Sequence, residues 1–287
     1  MAGVSEAACR PPREAKGNER GTDLVREAKE PGTLWREPFR IRSFDVDPQE
    51  RLNPRALFAF LQEAAGEDAA RYGAGMRDLL DRGLAWVLQR LRLEVARWPL
   101  RGEAVVVTTG ARRFGGVVAE RAFQVSDEAG RALARAASRW AVVDVADRRP
   151  VRLPGFIKDL PTPGAQLAFE LGAEPGRSRG TDAGEAGSAP RSLGGQHRFE
   201  VRRADLDLAR HMNNTRYVEW ALEMVTDEWL AGHELAELAV VYRREARLGN
   251  VVAGCSSGAE HSTLLHTLSL EGTELVLAHL ASGWRTR

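Results

Sequence analysis

The chain repeats itself, and this internal repeat limits which folds the sequence can adopt. With Phe39 aligned on Phe199, a shift of 160 residues, F-R-I-R-S-F-D-V-D-P-Q-E-R-L-N stands over F-E-V-R-R-A-D-L-D-L-A-R-H-M-N. The block ends also match, because A-R-A-A-S-R-W ending at Trp140 corresponds to A-H-L-A-S-G-W ending at Trp284. Two matches in the same order indicate a duplicated domain.

Each copy predicts a helix shortly after its Asp-x-Asp turn. In the first copy Asn53 suits the N-cap and Pro54 the first helical position. Apolar residues then follow at helical spacing, namely Leu57, Phe60, Leu61, Ala64 and Ala65. In the second copy Asn213 or Asn214 caps a helix predicted over 214–230, whose apolar positions are Val218, Ala221, Leu222 and Val225.

Several strand-like runs come after each helix. Leu91, Leu93 and Val95 alternate with charged residues, which predicts a half-buried strand. The further runs are 105–109, 117–125 and 132–145 in the first copy, and 238–245, 251–256, 263–270 and 275–284 in the second. One helix with a set of antiparallel strands predicts an α+β domain, in which the helix packs against a curled sheet.

Two stretches have the composition of unfolded segments. Residues 1–38 are polar, carry seven basic and seven acidic residues, and lack the apolar run of a secretory signal. From Gly172 to His197, 12 of 26 residues are Gly, Pro or Ser. We therefore predict a disordered tail over 1–38, an N-terminal domain over 39–157, a flexible linker over 158–197 and a C-terminal domain over 198–287.

Charge and cysteine content exclude several classes of protein. The formal net charge is +1, so bulk attraction to nucleic acid or to anionic membranes is not expected. No apolar run approaches the ~20 residues that span a bilayer. Two cysteines, one of them in the polar tail, exclude a disulfide framework and a cysteine-based zinc site. This composition, with arginine far more frequent than lysine, leads us to expect a cytoplasmic bacterial protein.

The two copies differ at a position where chemistry is expected. The first copy has Arg51 where the second has His211, four residues after Asp207 and just before a helix. Backbone N–H groups at a helix N-terminus can hold an oxyanion, and Asp207 with His211 could activate water beside them. The alternative is a plain turn with capping carboxylates and a hydrogen-bonded histidine. We assign the first copy to binding and scaffold.

The string D-L-D-L-A-R-H-M-N-N-T-R-Y over 205–217 resembles the D-x-D-x-x-x-H-x-N-N-x-x-Y signature of hot-dog-fold thioesterases. The later string Y-R-R-E over 242–245 is similar to an element of acyl-acyl-carrier-protein thioesterases, whose members carry two hot-dog domains in one chain. The resemblance covers about 39–157 and 198–287. It implies two tandem hot-dog domains and release of free fatty acid from acyl carrier protein (ACP) in fatty acid biosynthesis.

This resemblance assigns roles to individual residues. The catalytic aspartate falls on Asp207, the histidine on His211 and the glutamate on Glu245, with Asn213 and Asn214 supporting the oxyanion site. No cofactor or metal is implied. The plant pattern has Asn where this chain has Ala209, and Cys where it has Ala246. A cysteine nucleophile is therefore impossible here, and the choice between a water activated by Glu245 or Asp207 and direct attack by one of them stays open.

Substrate contacts are expected from the first copy and from basic residues. The run 84–88, which contains Trp86, is apolar enough to line an acyl pocket, although core packing is the alternative for Trp86. ACP is acidic, so a basic docking face is expected. The candidate arginine pairs are 112–113, 202–203 and 243–244.

Other readings remain open at the level of sequence. The chain could be an acyl-CoA thioesterase on the same fold or a catalytically silent acyl-binding protein, the second being suggested by Ala209. A hot-dog dehydratase is disfavoured, because its histidine and acid have a different arrangement. A homodimer is compatible with the sequence.

Overall fold

The computed structural model describes residues 30–175, 196–259 and 262–287. Ten strands in the described part form one antiparallel sheet. Their bounds are β1 Trp35–Arg40, β2 Leu84–Val95, β3 Ala104–Gly115, β4 Val118–Asp127, β5 Ala132–Asp144, β6 His197–Glu200, β7 His233–Tyr242, β8 Val251–Ala259, β9 Thr263–Leu270 and β10 Val276–Thr286. The predicted α+β class is confirmed, and every predicted strand run is present.

The order of the strands shows the duplication directly. Across the sheet they run β1-β3-β4-β5-β2-β7-β10-β9-β8-β6, so the second half is the mirror order of the first. Each half also ends with the same small contact, because Trp140 donates its indole N–H to the Ser138 hydroxyl and Trp284 to the Ser282 hydroxyl. The two repeats seen in the sequence are therefore two copies of one structural unit.

The two halves join where β2 pairs with β7 over the register Arg90↔Val241 to Glu94↔Glu237. Leu91 and Leu93 on β2 are buried and face the core, while the charged residues between them lie on the outer face. A single hydrophobic cluster contains residues of both halves. This β2–β7 junction, which we call the seam, thus places both copies around one continuous core.

The two longest helices lie on the inner side of the sheet, where their apolar faces contribute to this core. Helix α1 runs over Pro54–Ala70 and α4 over Asn214–Glu223, and the two contact each other. The shorter helices are α2 Met76–Leu80, α3 Gly155–Lys158 and α5 Asp227–Gly232.

The single helix predicted over 214–230 is wrong, because the chain breaks after α4 and starts α5. Thr226 caps α5, since its hydroxyl accepts a hydrogen bond from the Trp229 N–H at 3.3 Å. A Thr side chain that satisfies a helical N–H group favours a new helix start over continuation of the previous helix.

Two predicted boundaries also differ from the structure. Strand β1 begins at Trp35, inside the predicted tail; most of that tail lies outside the described residues. Residues 159–175, which we call the strap, cross the sheet instead of forming flexible linker, and residues 176–195 of the predicted linker lie outside the described residues. Gly164 packs so closely on Gly110 of β3 that a Cβ at 164 would meet the Gly110 carbonyl oxygen at 2.1 Å. Within the described residues, no helix has the length and apolar character needed to cross a membrane.

Candidate active site

A buried carboxylate anchors the loop that leads into α4. Asp205 has no exposed surface and accepts hydrogen bonds from the backbone N–H and the guanidinium of Arg202, with Arg216 at 3.2 Å. Burial alone would raise the pKa of Asp205, but the hydrogen bonds from Arg202 lower it below its usual value. Asp205 is therefore a charged anchor of the loop.

Asp207 forms a tight turn that fixes His211. Its Oδ1 accepts hydrogen bonds from the N–H of Ala209 at 2.9 Å and of His211 at 3.1 Å. The Asp207 N–H donates in turn to the His211 carbonyl at 2.8 Å. Arg210 takes a φ of 61°, in the left-handed region. An aspartate suits this turn because its short side chain reaches the backbone two and four residues on.

The same turn occurs in the first copy. Asp47 Oδ1 accepts hydrogen bonds from the N–H of Gln49 and of Arg51, both at 2.9 Å, and Glu50 also has a φ of 61°. The backbone of the turn is therefore a property of the fold. What distinguishes the copies is the side chain at its end, a guanidinium at Arg51 and an imidazole at His211.

The predicted cap of α4 is present. Asn213 Oδ1 accepts hydrogen bonds from the N–H of Thr215 at 2.9 Å and from its hydroxyl at 2.7 Å. Asn214 is the first helical residue, so its N–H has no acceptor within the helix. Its side-chain amide lies 3.4 Å from Gln62 Oε1 on α1. The start of α4 therefore touches the helix of the other copy.

Two tyrosines, the buried Tyr217 and the partly buried Tyr242, tie the segment that carries Glu245 to α4. The Tyr217 hydroxyl donates to the Arg244 carbonyl at 3.3 Å and accepts the Ala246 N–H at 3.0 Å. The Tyr242 hydroxyl donates to the Asn214 carbonyl at 3.0 Å, and the two rings meet edge to face. Burial raises the pKa of both phenols, so both hydroxyls stay protonated and can donate.

These anchors bring His211 and Glu245 into contact. Nε2 of His211 lies 3.2 Å from Oε2 of Glu245, with exposed side-chain fractions of 25% and 45%. Asp207 is held against the same loop through the His211 backbone. The structure thus brings together the three residues that the sequence comparison selected. The pair is open to solvent, beside the positive end of α4.

The first copy has a counterpart of the Glu245 segment as well. Its backbone hydrogen bonds set the register, because Leu52 N–H donates to the Pro99 carbonyl just as Met212 N–H donates to the Ala246 carbonyl. Pro99 of the first copy therefore aligns with Ala246 of the second. The residues that precede them, Trp98 and Glu245, occupy equivalent positions.

Both counterparts are used to hold the copies together. Trp98 is buried and its indole N–H donates to the carbonyl of Leu235 at 2.8 Å. Arg51 pairs with Glu234 at 3.2 Å, and Arg285 donates to the same carboxylate. The first copy therefore has neither the imidazole nor the carboxylate at this place.

Trp86 lies in a smaller cluster, away from the main core. Its indole N–H donates to the Ala74 carbonyl at 2.8 Å, and its ring packs with residues that include Leu79 and Val142. These contacts favour core packing, and its role as an acyl contact stays a prediction.

The three arginine pairs occupy different places. Arg112 and Arg113 pair with Glu170 and Glu120 on the outer face. The other two pairs flank the site, at residues 202–203 and 243–244 of the loops that carry Asp207 and Glu245. No group of three or more His, Cys, Asp or Glu side chains in the described part is arranged to hold a metal ion.

Some residues of the site were not predicted from the sequence. Gln62 and Trp98 had no assigned role, and Tyr217 and Tyr242 were noted only as parts of motifs. Gln62 carries a weak signal, as a polar residue beside the apolar stripe of α1. Trp98 is recognised only when its segment is aligned with the Glu245 segment of the second copy, and local sequence similarity does not give that alignment.

Two mirrored halves, each a long helix on a curled antiparallel sheet, define a double hot-dog protein, and its second copy has a His–Glu pair at a helix N-terminus. Models of the acyl-ACP thioesterase N-terminal and C-terminal domains match residues 32–159 and 190–285. The chain belongs to the acyl-ACP thioesterase family.

Individual relatives agree with this assignment. The chain is 28% identical over 268 residues to a chloroplastic dodecanoyl-[acyl-carrier-protein] hydrolase of Cinnamomum camphora, covering 89% of this chain and 69% of the relative. It is 26% identical to a chloroplastic acyl-[acyl-carrier-protein] hydrolase of Cuphea viscosissima, covering 92% of this chain and 65% of the relative. It thus spans about two thirds of these relatives' lengths.

Solved structures show the same fold. An acyl-ACP thioesterase from Bacteroides thetaiotaomicron superposes with a TM-score of 0.70 at 22% identity, over 88% of this chain and 98% of that one. The 12:0-ACP thioesterase from Umbellularia californica gives 0.70 at 23% identity, over 88% and 98%. The predicted tandem hot-dog fold is therefore confirmed.

Proposed function

We propose that the protein hydrolyses acyl-ACP thioesters and releases free fatty acid, using the second copy alone. The observation that carries the proposal is the contact between His211 and Glu245 beside the N-terminus of α4. Family membership supports the substrate class, because the relatives are named as hydrolases or thioesterases of acyl carrier protein.

Glu245 is the better of the two candidate bases. Oδ1 of Asp207 is engaged by two backbone N–H groups, as is that of Asp47 in the copy without histidine. Asp207 therefore positions His211. Glu245 is 45% exposed and its contact with His211 leaves oxygen lone pairs for a water molecule.

In the proposed reaction Glu245 accepts a proton from water while the water oxygen attacks the thioester carbonyl carbon. The oxyanion of the tetrahedral intermediate lies at the start of α4, where the Asn214 N–H and the helix dipole stabilise it. The C–S bond then breaks, and the proton passes through Glu245 and His211 to the thiolate. One water is consumed, and a fatty acid and a thiol are formed.

The competing route is attack by a carboxylate on the carbonyl, through an anhydride that water then opens. A single turnover in ¹⁸O-labelled water separates the routes. Label that appears first in the fatty acid supports activated water, whereas label that appears in an enzyme carboxylate contradicts it.

The first copy is proposed to supply the acyl pocket, and the basic residues beside the site to dock the carrier. Arg203 and Arg244 are exposed on the two loops that hold Asp207 and Glu245. An acidic carrier would therefore deliver its thioester next to the His–Glu pair. Replacing both by Gln should raise KM for the carrier-protein substrate and leave KM for a small acyl thioester unchanged.

The main test is Glu245→Gln, assayed by fatty acid released from a panel of C8 to C18 acyl-ACP thioesters. We expect kcat to fall by about 100-fold or more, the usual contribution of a general base. Glu271→Gln is the matched control, since Glu271 pairs with Arg198 at the far edge of the sheet. Full activity in the Glu245 variant would overturn the assignment.

The same assay separates the alternatives. An inactive wild-type protein that still binds acyl chains would support the silent binding protein. A kcat/KM for acyl-CoA above that for acyl-ACP would favour the acyl-CoA thioesterase.

The bacterial cytoplasm remains the proposed location. Sedimentation of the purified protein would test whether it forms the proposed homodimer.

A further inference from the structure

A cavity of about 880 Å³ lies beneath the strap, and the residues that line it include none of Asp207, His211 and Glu245. Its volume is within the range of small-molecule sites, roughly 300–1,000 Å³. We call it the arginine cavity. The residues that line it are Arg90, Arg112, Arg113, Glu120, Arg139, Ala165, Glu170, Leu171, Gly172 and Ala173.

The charges of the arginine cavity do not balance. Four arginines face two glutamates in the lining. Beside the lining, Glu174 lies 3.9 Å from Arg90 and also pairs with Arg243. Five arginines against three glutamates leave an excess of two positive charges at one concave site. One of the glutamates, Glu170, has a side chain that is 77% exposed, and it pairs with Arg112. A polyanion could replace it at little cost, because exposed ion pairs are weak.

The arginines also retain hydrogen-bond donors. A single oxygen of Glu120 accepts hydrogen bonds from Nη2 of Arg113 at 2.8 Å and from Nη2 and Nε of Arg139 at 2.8 and 3.2 Å. Each guanidinium carries five N–H groups, so this oxygen satisfies a minority of the donors of the two side chains. The remaining donors suit the several oxygens of a phosphate group.

The floor of the cavity is joined to the strap by Arg90. Arg90 is buried, and its Nη2 lies within hydrogen-bond distance of the carbonyls of Leu171, Gly172 and Ala173. These contacts hold the strap over the sheet. Burial lowers the pKa of Arg90 because the charged form is desolvated, and the nearby charge of Glu174 offsets only part of this effect. An anion bound in the cavity would offset more of it.

We propose that the arginine cavity binds a phosphorylated small molecule at a second site, separate from the His–Glu pair. Arginine forks recognise phosphate by paired N–H···O hydrogen bonds. The volume exceeds what inorganic phosphate needs, and Ala165 and Leu171 provide apolar wall for an organic part. The concave shape favours a small molecule over the surface of a carrier protein.

The test is calorimetric titration of the full chain with inorganic pyrophosphate and with ADP. Wild-type protein should bind one equivalent of one or both probes. Arg112→Gln/Arg113→Gln should weaken that affinity by about tenfold or more, the usual effect of losing a charge-assisted hydrogen bond. Arg139 is kept so that Glu120 retains a partner.

The matched control is Arg101→Gln/Arg198→Gln, two exposed arginines that each pair with one glutamate elsewhere on the surface. Its affinity for the probes should equal that of the wild type. If the first double variant does not fold, Arg113→Gln alone serves, because that side chain is 65% exposed.

The proposal fails if wild-type protein binds neither probe, or if both double variants weaken binding equally. It also fails if the Arg112/Arg113 variant raises KM for acyl-ACP while probe binding is unchanged, since the surface would then dock the carrier. Because the readout is binding, its outcome is independent of whether Glu245 catalyses hydrolysis.

Discussion

At the scale of single residues, the site depends on side chains that hold the backbone beside His211 and Glu245. Tyr217 holds the backbone on both sides of Glu245 from a buried position on α4. Asp207 holds His211 in the same way, through backbone N–H groups. The proposed catalytic pair is therefore positioned by neighbours whose own geometry is fixed by the fold.

Tyr217→Phe tests this positioning role. The change leaves the Ala246 N–H without its acceptor and frees the loop. Since a displacement of about 1 Å can cost roughly 100-fold in rate, we expect kcat to fall by about 10-fold to 100-fold with little change in KM.

Tyr72→Phe is the matched control, because the Tyr72 hydroxyl accepts one hydrogen bond from Gly32 in the first half. It should leave kcat unchanged. An equal loss in both variants would argue against the positioning role of Tyr217.

A second residue, His266, makes stability depend on pH. It is buried, with Nδ1 2.7 Å from the Ser256 hydroxyl and Nε2 2.8 Å from that of Ser282. Burial lowers its pKa to about 4. The unfolded value is about 6.5, so the unfolded chain binds more protons between these limits, and the free energy of unfolding falls as the pH is lowered through this window.

Urea unfolding at intervals from pH 7 to pH 4 measures this effect. We expect a loss on the order of 3 kcal/mol in the wild type and a flatter profile in His266→Gln. His197→Gln, on edge strand β6, should retain the wild-type slope. Parallel profiles for the wild type and the His266 variant would contradict the prediction.

At the scale of elements, equivalent loops have different roles in the two copies. The turns at Asp47 and Asp207 have the same backbone hydrogen bonds, but Arg51 and Trp98 make contacts across the seam where the second copy has His211 and Glu245. One copy thus contributes cohesion between the halves, and the other contributes the open His–Glu pair.

Trp98→Ala should therefore affect stability more than chemistry. The change removes a buried indole and its hydrogen bond to Leu235, for which a loss of about 3–5 kcal/mol is typical. Trp86→Ala, in the smaller cluster, is the comparison. The free energy of unfolding from urea titration should fall further in Trp98→Ala than in Trp86→Ala. An equal loss in both variants would contradict a larger contribution of the seam to stability.

Local features of these elements were predictable from sequence. The Asn213 cap depends on neighbouring residues, and the alternation of Leu91 and Leu93 reveals the inner face of β2. Contacts such as Trp98 to Leu235 join residues 137 positions apart, and they depend on the register of β2 on β7. Local patterns do not set that register, so the seam and the strap were missed.

At the scale of the whole molecule, the duplicated chain forms one structural unit in which the second copy has the His–Glu pair. The shared core and the continuous sheet make the halves one unit, and α1 of the first copy touches the start of α4 through Gln62 and Asn214. Under the proposed function, the first copy binds and supports the substrate while the second performs the reaction.

The most direct test of this account compares Asp207→Ala with Asp47→Ala, the same change at equivalent turns. Initial rates of fatty acid release from acyl-ACP measure the effect. The account predicts that Asp207→Ala lowers kcat/KM by about 100-fold, since it releases His211, while Asp47→Ala stays within a few-fold of the wild type. Equal losses in both variants, or full activity in Asp207→Ala, would contradict it.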